Sequence, residues 1–245
     1  MENHYLYGIR SILEAIKAAQ PLEKVWLLKG QKSPLFKSLE HALRDENIAI
    51  SYVPKERLDR FNNRNHQGAV AVVSPVKFHL LQDVLDNRAQ SANAPIYLLL
   101  DHITDTRNLG AIIRTASATG VDAIILPQTG SARITADTVK TSAGAIFSVP
   151  LVRVEHLKDA LYAFQGEGIK TIGLSEKASD SLYTANLTEP LALVMGSEEK
   201  GIAKSTLSLL EETVKLPMLG KIDSLNVSVA CGTVLYEVIR QRNFA

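Results

Sequence analysis

Three short stretches of this 245-residue chain set amide, hydroxyl, carboxylate and guanidinium groups among glycines and small residues. The first is Asn108-Leu109-Gly110, followed by Arg114. The second is Met195-Gly196-Ser197-Glu198-Glu199-Lys200-Gly201, and the third is Asp223-Ser224-Leu225-Asn226-Val227-Ser228-Val229-Ala230. Each lies where an apolar run gives way to a loop or helix, which is where open α/β sheets bind ligands. One site built from all three would join the cation Arg114 to the carboxylate Glu198 and to the polar side chains of Asn108, Ser224 and Asn226. Glycines in the second stretch let backbone approach a ligand closely. Leu216-Pro217-Met218-Leu219-Gly220, just upstream of the third, adds apolar walls and free backbone groups that suit a flat aromatic ligand such as adenine.

Each of these residues also has a plainer reading. Asn108 stands just ahead of the helical face Leu109, Ile112, Ile113 and Ala116, so it reads equally as an N-cap. Arg114 shares a helix face with Gly110 and Ser117. Because helical side chains tilt toward the N-terminus, its guanidinium can return to the mouth of a site, and Gly110, Ala111 and Ser117 leave space around it. Glu198 is either solvated or paired with a cation such as Arg114. A helix is expected from near Ile202. Ser224 and Asn226 precede a helix with the stripe Val227, Ala230, Val234 and Val238, and capping accounts for one of the two but not both.

Several chemistries are excluded by what is missing. There is no Walker A motif, and Gly166-Glu167-Gly168 with Gly173 lies between a helix and a strand, the wrong order for a dinucleotide fingerprint. None of the six histidines has zincin spacing, and no Gly-x-Ser-x-Gly elbow occurs. His102 follows a strand, where a structural role is expected. The single cysteine, Cys231, rules out an intramolecular disulfide and a four-cysteine zinc site; among Val229, Ala230 and Val234 it reads as a buried small side chain. No metal is expected. The polar start Met1-Glu2-Asn3-His4 is unlike a signal peptide, and no apolar run approaches about 18 residues, so the expected location is the cytoplasm, away from membranes.

The elements that must position these groups fall into two rhythms. In the first, a helix over 8–19 with the face Ile12, Leu13, Ile16 and Ala19 precedes a strand at Val25–Leu28. A helix over 34–46, a strand over 48–53, a short helix over 55–61, a turn over 62–68 and a strand at Ala69–Val73 follow. This is an α/β module over residues 1–75. Residues 76–94, with one weak helix near 80–87, read as a linker. The second rhythm, 95–245, alternates helices with strands at 96–100, 123–126, 149–152, 170–174, 191–195 and 213–216. Such alternation predicts a mainly parallel sheet covered on both faces. Net charge is only +1, but residues 1–77 hold 12 Lys/Arg against 8 Asp/Glu, and residues 78–245 hold 15 against 18. The mildly basic first module could touch a phosphate backbone or be ordinary solvated surface.

In these motifs the sequence resembles the SpoU/TrmH group of the SPOUT superfamily, RNA ribose 2′-O-methyltransferases that use S-adenosyl-L-methionine. Asp101 through Arg114, Leu193–Gly201 and Leu216–Ala230 correspond to the three family motifs, with Tyr7-Gly8-Ile9 and Asn65-His66-Gln67-Gly68 matching in the first module. Within the group it is most similar to the bacterial enzymes that methylate a guanosine in the peptidyl-transferase P loop of 23S rRNA. The resemblance implies a C-terminal trefoil knot, a homodimer with sites at the interface, and a small N-terminal RNA-binding domain. It implies that Arg114 acts on the 2′-hydroxyl, as base or as electrostatic activator. Asn108, Glu198, Ser224 and Asn226 would orient it, while Met195, Gly196, Leu216, Met218 and Leu225 hold the cofactor. Thr106 stands where the family often has proline, and Glu199 where it often has glycine. A tRNA ribose methyltransferase is the nearest alternative, and a non-catalytic RNA-binding assembly factor the more distant one.

Overall fold

Two sheets form because two sets of apolar runs pair only among themselves. The structure, a computed structural model, describes residues 5–46, 48–61, 65–88 and 94–244. The polar start, residues 62–64 of the expected turn and 89–93 of the expected linker lie outside the described residues. The chain divides into two compact units, Met1–Lys77 with Ile134–Ala136 and Phe78–Arg133 with Asp137–Ala245.

The first unit runs β1 (Tyr5–Tyr7), α1 (Ile9–Lys17), β2 (Leu22–Leu28), α2 (Pro34–Asp45), β3 (Ile50–Val53), α3 (Lys55–Asp59) and β4 (Ala69–Val73). Its four strands are ordered β1-β4-β2-β3, with β4 antiparallel to both neighbours and β2 parallel to β3. Helix α1 buries Ile9, Ile12 and Ala15. Ala19, expected on that face, lies beyond the helix with φ 52° and is exposed. Helix α2 opens with Ser33 accepting the Phe36 amide and Pro34 in the first turn, where a missing N–H is harmless. Phe36, Leu39 and Leu43 then pack with Val25, Leu27, Ala69 and Ala71, alternate residues of β2 and β4. The other sheet face carries Trp26, Val70 and Val72 with Leu58 and Phe61.

The second unit comprises α4 (Leu81–Arg88), β5 (Ile96–Leu100), α5 (Thr106–Ala118), β6 (Ala123–Pro127), α6 (Ala136–Thr141), β7 (Leu151–Val154), α7 (Leu157–Gly166), β8 (Lys170–Leu174), β9 (Asp180–Ser181), β10 (Leu191–Met195), α8 (Lys204–Leu207), β11 (Glu212–Lys215) and α9 (Val227–Asn243). The order β7-β6-β5-β10-β8-β11-β9 is parallel throughout. Strands β5, β6 and β10 are buried at every residue, as a sheet covered on both faces requires. Tyr97, Leu99, Ala192 and Val194 meet Leu157, Leu161 and Phe164 of α7, with the Tyr97 and Phe164 rings stacked at 4.7 Å. Leu98 and Leu100, pointing the other way, are equally buried, and α5 and α9 pack against each other.

Some boundaries differ from the sequence reading for local reasons. Strand β7 starts at Leu151, two residues later than expected, just after Pro150, which has no N–H for a ladder. The two-residue β9 was too short and polar to foresee. Within the expected linker, the His79 amide donates to Leu151 O at 2.8 Å, and Leu81, Val84 and Leu85 of α4 pack into the second core. Helix α8 starts at Lys204 rather than near Ile202 and has only four residues. Cys231 is buried, and burial pushes its thiol up to about 12.

Candidate active site

Strands β5 and β10 are neighbours, so their C-terminal ends bring the first two motif loops together. The loop after β10 folds back on itself: Ser197 N donates to Gly201 O at 3.2 Å and Gly201 N to Ser197 O at 2.9 Å. Gly196 is required by this closure. A Cβ there would lie 2.1 Å from Gly201 C and 2.2 Å from Ile202 N, inside any backbone contact distance. The loop is then fastened to β5. Asp101, only 2% exposed, accepts the Ala203 amide at 2.9 Å on one oxygen and holds His102 Nδ1 with the other, while its own amide donates to Met195 O. Asp101 was not among the candidate residues. The signal it did offer is a carboxylate immediately after five buried apolar residues.

Helix α5 corrects the N-cap reading of Asn108. Asp105 is the cap, its Oδ1 accepting the amides of Arg107 and Asn108 at 2.8 Å each. Thr106 is thus the first helical residue, the position where proline is best tolerated, which makes the departure from the family pattern conformationally mild. Freed from capping, the Asn108 side chain donates to Glu198 Oε1 at 3.3 Å and accepts from Asn226 Nδ2 at 3.0 Å. Asn226 does both jobs open to it. Its Oδ1 caps α9 by accepting Ser228 N at 3.0 Å, and its Nδ2 donates to Asn108 and to Glu198. Val227 N adds a third donor to Glu198 Oε1 at 3.0 Å. One carboxylate oxygen of the second motif therefore gathers donors from the first and the third.

Beside this knot of polar groups lies a cavity of about 170 Å³. Met195, Gly196, Leu216, Met218 and Leu225, the expected cofactor contacts, all line it, together with Glu198 and Ser224. So do Leu174, Ser175, Glu176 and Lys177, which sequence reasoning missed. They are the last residue of β8 and the three after it, and only the strand's place next to β10 reveals them. The volume is below the roughly 300–1,000 Å³ of whole small-molecule sites, so a flat ring fits while the rest of a larger ligand stays open to its surroundings. Close backbone at Gly196 and apolar Leu and Met walls suit adenine and its sugar.

Arg114 and Ser224 are exposed, and neither side chain has a hydrogen bond or ion pair among the described residues. Arg114 does not line the cavity. Of the two readings of Glu198, solvated or paired with Arg114, the ion pair does not form; Glu198 Oε1 accepts instead from the two asparagines and the Val227 amide. Nor does Gly110 leave open space: a Cβ there would sit 2.7 Å from Thr141 Cβ and 3.1 Å from Thr138 O. Among the described residues no group of three His, Cys, Asp or Glu could hold a metal ion, and no helix is long and apolar enough to cross a membrane.

Residues 95–236 match the SpoU rRNA Methylase family, and residues 5–79 match the family described as RNA 2′-O ribose methyltransferase substrate binding. The 23S rRNA (guanosine-2′-O-)-methyltransferase RlmB of Photobacterium profundum is 37% identical, covering 99% of this chain and 99% of that protein. The Escherichia coli (strain K12) RlmB is 38% identical over 97% of this chain and 98% of its own length. The crystal structure of the SpoU methyltransferase AviRb from Streptomyces viridochromogenes, in complex with the cofactor AdoMet, matches with a TM-score of 0.61 and 26% identity, covering 98% of this chain and 90% of that one. A mostly parallel α/β sheet, three motif loops closed on one carboxylate and 37–38% identity to the two RlmB enzymes over nearly the full length agree: the chain belongs to the SpoU rRNA methylase family.

Proposed function

We propose that this protein methylates the ribose 2′-hydroxyl of a guanosine in 23S rRNA, in the peptidyl-transferase P loop, using S-adenosyl-L-methionine. The observation that carries the reading is the closure of three separate motifs on Glu198 Oε1, beside a cavity walled by Gly196, Leu216 and Leu225. When bound, the cofactor supplies a methyl group already activated by its sulfonium. Gly196 admits it through close backbone, and Met195, Leu216, Met218 and Leu225 hold it by backbone groups and apolar contact. Arg114 engages the ribose and its phosphate. A guanidinium stays protonated in proteins and is a poor proton acceptor. Its role is therefore to clamp phosphate and stabilise the negative charge that develops on the 2′-oxygen while the hydroxyl proton passes to water. Asn108, Glu198, Ser224 and Asn226 orient the reacting groups and exclude misaligned approaches.

The same proposal assigns RNA binding to residues 1–75 and catalysis to 95–245, in the cytoplasm. It includes a homodimer, since Val229 and Tyr236 on α9 and Leu219 and Ile222 before it are large apolar side chains 54–99% exposed, surface that a second copy would cover. It also includes the trefoil knot, for which the supporting feature is that the chain leaving β11 passes the Gly196–Gly201 loop before α9 packs on α5. Incubation with labelled cofactor and unmodified 23S rRNA or tRNA, followed by mapping of ribose methylation, tests the function. Methylation at a P-loop guanosine is expected. Transfer to tRNA alone overturns the substrate, and transfer to neither RNA without cofactor binding overturns the enzyme. Sedimentation velocity at twice the chain mass is the expected result for the dimer.

A further inference from the structure

We infer that Phe147 is a stacking platform for a nucleobase of the RNA that Arg114 engages, an assignment that rests on the methyltransferase reading above. Its side chain is 65% exposed, yet it does not sit on a slack loop. Ala143 N donates to Lys140 O, Gly144 N to Val139 O, Ala145 N to Ser142 O, Phe147 N to Gly144 O and Ser148 N to Ala145 O. The turn holds two successive left-handed residues, Ala143 at φ 51° and Gly144 at φ 83°, and Ile146 anchors it at 2% exposure. A non-glycine residue at positive φ is strained and persists only where its surroundings fix it. This backbone is built to hold one aromatic ring in solvent.

The placement of that ring is set by α5. Gly110, Arg114 and Ser117 recur at four- and three-residue spacing, so they form one stripe along the helix. Thr141 packs at the Gly110 end of the stripe, and Ser148 Oγ lies 3.2 Å from Ser117 Oγ at the other end. The segment ending in Phe147 and Ser148 therefore runs along the stripe on which Arg114 stands. No ring contact or cation–π pair occupies Phe147 among the described residues, whereas the guanidinium of Arg153 does lie over Phe78. An open aromatic ring on a turn packed along the stripe of an unpaired guanidinium matches a nucleotide of single-stranded RNA, with the base stacked on the ring and the phosphate or ribose on the cation. A protein surface would satisfy the ring but would have to supply an anion for Arg114 as well.

The test uses the full-length protein, with transfer kinetics on the rRNA substrate, cofactor affinity by calorimetry and mass by sedimentation velocity. Phe147→Ala is expected to raise KM for RNA roughly ten-fold or more, within the range found for losing one base–aromatic stack. Cofactor affinity and oligomeric mass stay unchanged. Phe147→Tyr and Phe147→Trp keep KM within about three-fold of wild type, because they retain a ring to stack on. Phe147→Leu, apolar but without a π face, behaves like Ala. An unaltered KM in Phe147→Ala overturns the inference alone if the wild type transfers methyl normally. Full rescue by Leu, or a change of mass in the Ala variant, also overturns it and assigns the ring to a protein contact. A wild type that transfers no methyl removes the methyltransferase reading and this inference together.

Discussion

Asn108 and Arg114 lie less than two turns apart on α5, and their surroundings are opposite. Asn108 is spoken for: Asp105 takes its backbone amide, Glu198 its side-chain N–H, and Asn226 donates to its oxygen. Arg114 has no partner among the described residues. A group fixed between a carboxylate and an amide can position loops but has little left to give a substrate. A guanidinium in water loses little by waiting, and its planar fork remains free for a phosphate or an oxyanion. The first kind of residue closes the loops together, and in the proposed function the second is what the site presents outward.

Substitutions can break that distinction, and the largest effect is expected at the outward group. Arg114→Ala should lower kcat for methyl transfer by about 100-fold or more, the scale of losing one preorganised electrostatic donor. The melting temperature and cofactor affinity should stay as in wild type, since the side chain holds nothing in place. A fall in melting temperature would mean that Arg114 is a structural group after all. Next comes Gly196→Ala, whose Cβ meets backbone that cannot yield cheaply. Calorimetry should show cofactor affinity down roughly ten-fold or more, as expected when the closest backbone approach in the site is displaced. Normal affinity would separate the loop from cofactor binding.

The inward residues should report chiefly in stability. Glu198→Ala strands three donors at once. With hydrogen bonds to charged groups worth about 1.5–3 kcal/mol when buried, and discounted here for exposure, a net loss of about 2 kcal/mol is expected. For a chain of this length that is a drop of roughly 4–8 °C in a thermal melt. The smallest effect is expected for Asn226→Ala. Loss of the α9 cap costs about 1 kcal/mol, and transfer should fall only a few-fold. Unchanged transfer with the same loss of stability would reduce Asn226 to a cap and remove it from the site.

Much of this arrangement could be read from the chain. The all-apolar runs Ile96–Leu100 and Leu191–Met195 demanded a sheet covered on both faces, and the polar motifs after them marked the edge where ligands bind. The five cofactor-contact candidates share one cavity, a juxtaposition visible in the sequence only as two strand ends of similar chemistry. The cap reading of Asn108, offered beside the site reading, fails because the helix already starts at Thr106 with Asp105 capping the amides of Arg107 and Asn108, and local propensity cannot rank two good caps. Asp101 and the Leu174–Lys177 wall escaped notice because their partners, Ala203 and β10, are remote in the chain.

What the sequence alone determined is therefore local: which segments are strands and helices, which loops carry amides and carboxylates, and which chemistries lack their ligands. Those properties follow from side-chain period and backbone preference over a few residues. Which polar group meets which was decided only by the tertiary structure. The parallel order β5-β10-β8-β11 sets the loops after these strands on one edge of the sheet, and a single oxygen of Glu198 can then satisfy donors 28 and 90 residues away in the chain. The same packing satisfied every asparagine in the cluster and left one arginine without a partner. Charge pairing between Arg114 and Glu198, reasonable from the types of residue alone, lost to geometry.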